Sequence, residues 1–220
     1  MNDILEMQLR TMLTLQNNIN SKIDPDWMER GRPWGRAIWI ECGEMMGHAG
    51  YKWWKSNLLD TPQVQLELVD IWHFALSSYY EAARRPAELA SVFAKHLDDV
   101  ISPPQAELLR LCENFAREVL TRPGFPLDLF IGLMNATGLT FDALFAQYVG
   151  ENVLNNFRQD NGYKDGTYIK EWFGDEDNVA LARIMEALDP SHPEFADCVR
   201  LGLVNEYQKV TQVFLEGCDK

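Results

Sequence analysis

The chain has 220 residues and a formal net charge of −13 at pH 7. Its length is sufficient to bury a substantial core, and 46% apolar with 24% charged residues is typical of a folded globular protein rather than a disordered one. The acidic surplus excludes general binding to nucleic acids, because phosphate contacts require a surplus of Lys and Arg. It leaves open a small anionic ligand whose charge a cation neutralises.

The sequence predicts neither a membrane helix nor an export signal. No apolar run approaches the roughly 18 residues that a membrane-spanning helix requires. The segment "MNDILEMQLR" has an acidic residue where a signal peptide would place basic ones. The four cysteines are scattered and form no Cys-x-x-Cys pair: Cys42, Cys112, Cys198 and Cys218. We therefore expect free thiols and a cytoplasmic location.

Apolar residues recur at helical spacing nearly throughout the chain. In the first helix, Gln16 takes one slot of a stripe otherwise made by Leu5, Leu9, Met12 and Ile19. Further helices are predicted at 36–48, 63–82, 87–100, 104–120, 126–137, 178–188 and 194–216. Thr140 is a candidate N-cap for a helix ending near residue 159. The predicted fold is a single all-α domain, a helical bundle over residues 1–220.

One segment, "RQDNGYKDGTYIKEWFGDEDN" (residues 158–178), has no helical stripe. It contains three glycines and three basic residues. Such a pattern predicts a long ordered loop with room for a short hairpin, and ordered loops of this length often carry function. A solvated connector is the plainer interpretation.

Two carboxylate pairs occur at a spacing of three residues in apolar helices. "ECGE" supplies Glu41 and Glu44, and "ELVD" supplies Glu67 and Asp70. Residues three apart share a helix face, and the apolar phase (Ile38, Glu41, Met45 and His48 in one stripe) points these pairs inward. There the like charges would repel each other, and desolvation would raise their pKa values. A hard divalent cation removes that difficulty, and an all-oxygen site favours Mg²⁺ or Mn²⁺ over zinc. Two such ions are the usual clamp for phosphoryl chemistry.

Other interpretations of the carboxylates stay open. A single Glu-x-x-Glu motif is usually a solvated helix face. A di-iron bundle would require Glu-x-x-His on each of two helices, and only Asp70-x-x-His73 comes close to that motif. A non-catalytic, acidic helical protein that binds a regulator is a third interpretation, and it predicts no stabilisation by metal.

Basic residues gather near these features in an otherwise acidic protein. Such residues favour contacts with a polyphosphate, although a surface location is the plainer interpretation of each one. Gly162 and Gly166 would let the backbone turn sharply in the same loop and expose backbone amides to oxygens. The four candidates are Lys52, Lys55, Arg158 and Lys164.

Two amide side chains share one face of the first helix. Gln16 occupies an apolar slot and Asn20 follows one turn later, and buried amides require hydrogen-bond partners. The edge of a nucleobase could supply those partners, and Trp53, Trp54 or Phe74 could supply a stacking face. A structural hydrogen bond within the core explains the amides equally well.

Taken together, these motifs resemble the dimeric all-α dUTPases, within the all-α nucleoside-triphosphate pyrophosphatase superfamily. The features "LTLQNNIN", "ECGE", "YKWWK", "ELVDIWHF" and "NVLNNFRQDNGYKDGTYIKEWFGDEDN" occur in the family's order between about residues 13 and 178. The last of them is the most specific. The resemblance implies Mg²⁺-dependent hydrolysis of dUTP to dUMP and pyrophosphate, and of dUDP as well, by a homodimer.

The resemblance also implies roles for individual residues. Four would hold Mg²⁺, with Glu44 or Glu41 also orienting the attacking water: Glu41, Glu44, Glu67 and Asp70. Four would contact the phosphates: Lys52, Lys55, Arg158 and Lys164. Five would line the pocket for uracil and deoxyribose: Gln16, Asn20, Trp53, His73 and Phe74.

The chain departs from the family in two places close to the expected pocket. Tyr51 stands where the family commonly has Trp, and "GEMMGHAG" carries glycines and a histidine where many relatives have longer polar residues. An amide can present either a donor or an acceptor, so the residues alone leave a preference for dCTP open.

Overall fold

The computed structural model describes residues 2–54, 58–81, 85–96 and 103–218. Over these ranges the chain forms nine α-helices, one 3-10 helix (Trp27–Arg30) and a two-stranded sheet. The helices are α1 (Asn2–Ile23), α2 (Trp34–His48), α3 (Thr61–Glu81), α4 (Pro86–His96), α5 (Gln105–Thr121), α6 (Leu127–Thr137), α7 (Phe141–Asp160), α8 (Asp177–Glu186) and α9 (Phe195–Cys218). The prediction of an all-α fold is confirmed.

The helix bounds follow the hydrophobic periodicity closely. Every helix end that the structure describes lies within two residues of its predicted position, and α4 is described as far as His96. The predicted continuation of α4 over residues 97–100 lies outside the described residues. The predicted cap before α7 is confirmed, because the Thr140 hydroxyl accepts a 3.1 Å hydrogen bond from the N–H of Ala143.

Two compact units divide the chain, Met1–Tyr148 and Val149–Lys220. The N-terminal unit contains α1 to α6 and the beginning of α7. The C-terminal unit contains the remainder of α7, the strands β1 (Glu171–Trp172) and β2 (Asp175–Glu176), and the helices α8 and α9. The expectation of one domain over residues 1–220 stays a prediction.

Aromatic packing around α3 forms the core of the N-terminal unit. The indole of Trp72 is fully buried, stacks on Phe130 at 5.3 Å and meets the edge of Phe93 at 5.5 Å. Burying a ring of this size contributes about 2–3 kcal/mol through the hydrophobic effect. This cluster fixes one side of α3, while α1 and α2 pack on other parts of the helix.

The stripe predicted for α1 is confirmed. Leu5, Leu9, Met12 and Ile19 are all buried, and Gln16 is buried among them with 5% of its surface exposed. A polar side chain in this position requires hydrogen-bond partners, and α1 packs against α3 and α4, where such partners can come from.

The C-terminal unit has a small aromatic core of its own. Trp172 is buried, and its ring lies 5.4 Å from that of Tyr207 on α9 and 6.1 Å from that of Phe157 on α7. The short hairpin expected in residues 158–178 is confirmed by β1 and β2, which pair antiparallel. Its turn, Phe173–Gly174, has positive φ at both residues (56° and 95°), as a two-residue type I′ turn requires.

Cys42, Cys112 and Cys198 carry free thiols, as the scattered spacing predicts. Burial raises the pKa of the Cys42 and Cys112 thiols to about 12, so both stay protonated and unreactive at neutral pH.

Within the described ranges, no single helix is long and apolar enough to cross a membrane. Only α6 and α7 taken together meet those criteria, and the pair is bent by 100°.

Candidate active site

Three carboxylates converge where α2 packs along α3. Glu41 on α2 and Glu67 and Asp70 on α3 offer ligand oxygens that all lie within 4.8 Å of one another. The spacing of three residues places Glu67 and Asp70 on one face of α3, and the packing of α2 along α3 brings in Glu41. Glu67 is buried, and the other two are half-buried. The structure therefore brings together three of the four predicted metal ligands.

Glu44 is placed differently from the other three. It is exposed on α2 and is not part of the 4.8 Å cluster. The buried stripe of α2 runs through Ile38, Cys42 and Met45, so Glu41 flanks this stripe and Glu44 lies farther round the helix. Its charge nevertheless contributes to the raised pKa values of two cluster members, so its carboxylate lies close to them.

The cluster is electrostatically costly without a cation. Burial, followed by the charges of Asp70 and Glu44, raises the pKa of Glu41 to about 7. Burial, followed by the charges of Asp70, Glu44 and Glu41, raises the pKa of Glu67 to about 8. Both groups therefore hold protons near neutral pH unless a positive charge replaces them. A buried set of oxygen donors with these properties fits a hard divalent cation.

His48 stands at the end of α2 beside this cluster. Its Nε2 lies 3.5 Å from Oε1 of Glu67. The carbonyl of His48 accepts a 2.9 Å hydrogen bond from the N–H of Asp60, and the Asp60 carboxylate caps α3 by accepting from the N–H of Gln63 at 3.3 Å. These bonds join the end of α2 to the start of α3 and so help to fix the register of the carboxylates.

The segment after α2 carries the first predicted phosphate contacts. Lys52 folds back over α2, and a Cβ atom added at Gly47 would lie only 3.2 Å from its Nζ. Lys55 lies outside the described residues. Trp53 is 83% exposed, and its ring meets that of Trp54 at 5.8 Å. An aromatic side chain with so much free surface is available for stacking.

The predicted base-pocket residues join a buried hydrogen-bond network in the N-terminal unit. Oε1 of Gln16 accepts from the Tyr148 hydroxyl at 2.7 Å and lies 3.1 Å from Nδ1 of His73. Nε2 of Gln16 donates to Asn20 at 3.0 Å, and Nδ2 of Asn20 donates to Ser77 at 2.9 Å. The His73 ring also stacks on the Tyr148 ring at 4.1 Å.

This network and its burial determine the tautomer and the charge state of the His73 imidazole. Because Oε1 of Gln16 can only accept, Nδ1 of His73 carries the hydrogen and donates it. Burial lowers the pKa of His73 to about 3, so the imidazole is neutral under all ordinary conditions. Phe74, the neighbouring pocket candidate, is half-buried and its ring stacks on that of Trp34 at 6.4 Å.

In the C-terminal unit, Arg158 forms a bidentate ion pair with Asp177. Its Nε and Nη2 donate to the two carboxylate oxygens at 2.8 and 2.7 Å, and its Nη1 donates to Asn155 at 3.0 Å. Lys164 is exposed on the turn between Gly162 and Gly166, both of which have positive φ. The sharp turn predicted from the glycines is therefore present.

A dUTPase family model matches residues 8–163 of the chain. The chain belongs to this dUTPase family. Membership identifies the protein as an enzyme, a dUTP diphosphatase, whose substrate is a nucleotide, and dUTPases generally use a divalent metal. The matched residues include all four carboxylates and the Gln16 network, and they end inside the long loop. None of the curated proteins compared with this dUTPase matches it.

Two partners of the candidate side chains could not be predicted from the sequence. Tyr148 completes the network around Gln16, but a tyrosine in an apolar helical stripe is indistinguishable from an ordinary core residue. Asp177 holds Arg158, but an acidic residue at a helix start is normally explained by the helix dipole. In both cases the partner is identified only by tertiary contacts.

Three backbone N–H groups in the turn around Gly162 and Gly166 already donate hydrogen bonds to carbonyl groups of the same turn. The N–H groups of Asp165 and Thr167 donate to the carbonyl of Gly162 at 3.1 and 3.0 Å, and that of Gly166 donates to Tyr163 at 3.2 Å. Any contact that this turn makes with an anion therefore relies on side chains such as that of Lys164 rather than on these three amides.

Proposed function

We propose that this dUTPase hydrolyses dUTP to dUMP and pyrophosphate, and dUDP to dUMP and phosphate, in a reaction that depends on Mg²⁺. The observation that carries the proposal is the convergence of Glu41, Glu67 and Asp70 within 4.8 Å, together with raised pKa values at the two glutamates. Such a cluster is unfavourable in the ionised state unless a cation occupies it.

The three converging carboxylates, with Glu44 beside them, are the groups that would hold Mg²⁺. We expect two or more ions, with Mn²⁺ as a substitute, because every donor is a hard oxygen. When bound, the ions supply Lewis-acid polarisation of the phosphoryl oxygens. The family match supports a divalent metal in general, and the oxygen-only donor set supports magnesium in particular.

Glu44 is the proposed catalytic carboxylate, with Glu41 as its neighbour in that role. Its exposed position leaves its oxygens free to accept a hydrogen bond from a water molecule and so to orient that water for attack. Glu41, Glu67 and Asp70 are less exposed and are better suited to holding the cations.

Four basic residues would contact the phosphate chain and stabilise the negative charge that builds on the leaving group. Lys52 and Arg158 are half-buried, which strengthens their interaction with an anion, whereas Lys164 is exposed. Lys55 belongs to the same proposal on the basis of the family resemblance. The side chains, in chain order, are Lys52, Lys55, Arg158 and Lys164.

The uracil and deoxyribose would be bound by the amide network and by aromatic faces. Gln16, Asn20 and His73 present fixed donors and acceptors, and Trp53 and Phe74 present rings. The Tyr148 hydroxyl holds the Gln16 amide in one orientation, and this favours recognition of a single pyrimidine over acceptance of both. Activity on dCTP is the alternative that the substrate panel below tests.

A homodimer and a cytoplasmic location complete the proposal. The homodimer rests on the resemblance to the dimeric dUTPases. The location rests on the scattered free thiols at Cys42, Cys112 and Cys198.

Release of pyrophosphate from a panel of nucleotides tests the proposal. The panel comprises dUTP, dCTP, dTTP, dATP, dGTP and UTP, each assayed with Mg²⁺ and with chelator, and release of phosphate from dUDP is measured in parallel. We expect turnover of dUTP and dUDP only, lost with chelator and strongly reduced in Glu44→Gln. Comparable turnover of dCTP would contradict uracil specificity. Turnover that survives the chelator would contradict the metal site.

A further inference from the structure

Arg158 is held by partners within its own unit. Of its five N–H donors, three are engaged by Asp177 and Asn155, and the Arg158 side chain is only 19% exposed. Two donors stand outside these three bonds, on the two Nη atoms. A planar guanidinium fixed along one edge presents its other donors in a defined direction, which is what bidentate recognition of a phosphate requires.

Asp177 is an unusual residue in this unit, because its carboxylate is completely buried. Burial alone would raise its pKa, but hydrogen bonds from Arg158 and from the Tyr168 hydroxyl lower the pKa below the ordinary value. The carboxylate is therefore ionised and accepts three charge-assisted hydrogen bonds, the third from Tyr168 at 2.8 Å. A buried ion of this kind persists only where its partners are firmly placed.

Tyr168, which donates a hydrogen bond to Asp177, is itself held in place by contacts with α9. The Tyr168 ring stacks on that of Tyr207 at 5.2 Å, and the Tyr207 hydroxyl accepts a 3.1 Å hydrogen bond from the N–H of Ile169. The indole N–H of Trp172 donates to the carbonyl of Ile169 at 2.8 Å. These residues lie beyond residue 163, where the family match ends.

We propose that Asp177 is a positioning residue for dUTP hydrolysis: supported by Tyr168 and Tyr207, it fixes the guanidinium of Arg158 so that the two remaining donors bind the phosphate chain of the substrate. The inference rests on the proposed function, in which Arg158 contacts phosphate. It assigns a role in activity to Tyr168 and Asp177, which lie beyond the family match, and to Tyr207 of α9.

The test compares Asp177→Asn with a matched control, Asp175→Asn. Asp175 is an exposed aspartate of β2, two residues before Asp177, and it pairs with Arg183 across 3.6 Å. We expect Asp177→Asn to lower kcat/KM for dUTP by about 100-fold, since a displacement of about 1 Å in a positioned group has that effect. We expect Asp175→Asn to stay within about 2-fold of wild type.

Two further readouts separate positioning from a general loss of structure. The inhibition constant of 2′-deoxyuridine, which lacks phosphates, should be the same in Asp177→Asn and wild type. In an Arg158→Lys background, Asp177→Asn should have almost no additional effect on kcat/KM, because the two residues act as one unit. Equal weakening of deoxyuridine, or full additivity of the two substitutions, would overturn the inference.

A milder variant covers the case in which Asp177→Asn does not fold. Tyr168→Phe removes only the hydroxyl that donates to Asp177, and Tyr163→Phe is its control in the same loop, with an exposed ring. We expect Tyr168→Phe to lower kcat/KM about 5- to 10-fold, the effect of one lost hydrogen bond. If wild type turns over dUTP while Tyr168→Phe and Asp177→Asn match their controls, only the positioning inference fails. If wild type does not turn over dUTP, the proposed function and the inference fail together.

Discussion

The Tyr148 hydroxyl lies 2.7 Å from Oε1 of Gln16 and 3.0 Å from the carbonyl oxygen of Met12, and it helps to fix which end of the Gln16 amide faces each neighbour. The other end of the amide is fixed through Asn20: the Ser77 hydroxyl donates to the carbonyl of His73 and accepts from Nδ2 of Asn20, so Oδ1 of Asn20 accepts from Nε2 of Gln16. The orientation is thus determined by hydrogen bonds within the protein itself.

Tyr148→Phe should therefore weaken discrimination between uracil and cytosine. The substitution keeps the ring that stacks on His73 and removes only the hydroxyl. We expect the ratio of kcat/KM for dUTP to that for dCTP to fall about 10-fold, the effect of losing one or two hydrogen bonds. Tyr80→Phe on α3, where the ring packs on Trp27, is the control. An unchanged ratio would show that the Tyr148 hydroxyl does not control discrimination between the two bases.

Metal binding should stabilise the folded protein by way of Glu67. Mg²⁺ at about 100 times its dissociation constant should raise the free energy of unfolding by ~2.7 kcal/mol and Tm by roughly 5–10 °C. Glu67→Gln should abolish most of this shift, whereas Glu107→Gln, an exposed glutamate on α5, should retain it. Thermal melting with Mg²⁺ and with chelator measures the effect, and an equal shift in both variants would argue against the assigned site.

The stability of the chelated protein should fall as the pH rises above 7. The pKa of Glu67 is raised to about 8 and that of Glu41 to about 7, so their protons stabilise the fold at low pH and are lost as the pH passes through these values. Between pH 7 and pH 9 the free energy of unfolding should decrease by about 1–2 kcal/mol.

The titration of His73 does not change the free energy of unfolding between pH 7 and pH 9. Its pKa is lowered to about 3 by burial, so its contribution to stability changes only below its ordinary value near 6.5. The measurement is urea unfolding at pH 7, 8 and 9 in the presence of chelator. In Glu67→Gln, most of the decrease in the free energy of unfolding over this range should be absent. Rising stability over the same range would contradict the raised pKa values.

Gly47→Ala should stabilise the protein and impair its activity. Alanine in place of a helical glycine contributes about 0.5–1 kcal/mol, but the added Cβ would lie 3.2 Å from Nζ of Lys52 and displace that ammonium group. We expect KM for dUTP to rise about 3- to 10-fold, the effect of weakening one charged contact.

Gly43→Ala is the matched control for this substitution. Gly43 lies one turn earlier on α2, and a Cβ added there has no neighbour within 4 Å. It should give the same gain in stability with unchanged kinetics. Equal kinetics in the two variants would show that Lys52 does not bind the substrate from its present position.

The helices and their caps could be predicted because their signals are local. The stripe of α1 and the hydroxyl of Thr140 act within a few residues, and both are present as expected. The convergence of Glu67 and Asp70 is likewise local, since a spacing of three residues puts them on one face. The approach of Glu41 to these two carboxylates depends on the packing of α2 along α3. The sequence indicated this approach only indirectly, because a carboxylate pair with the same spacing occurs in both helices.

The remainder depends on tertiary contacts that the sequence does not specify. Gln16 and Tyr148 are 132 residues apart in the chain, and Arg158 and Asp177 are 19 apart. The exposure of Glu44 has a similar cause. The buried stripe of α2 passes through Cys42 rather than Glu41, and a shift of one residue rotates the face of a helix by about 100°.

The most direct test of the central claim is the initial rate of dUTP hydrolysis as a function of Mg²⁺ concentration, for wild type, Glu67→Gln and Glu107→Gln. The account predicts that wild type and Glu107→Gln share one Mg²⁺ dependence and lose activity in chelator. It predicts that Glu67→Gln retains less than about one-hundredth of their rate at any Mg²⁺ concentration. A Glu67→Gln variant that hydrolyses dUTP at the wild-type rate, with the wild-type dependence on Mg²⁺, would contradict it.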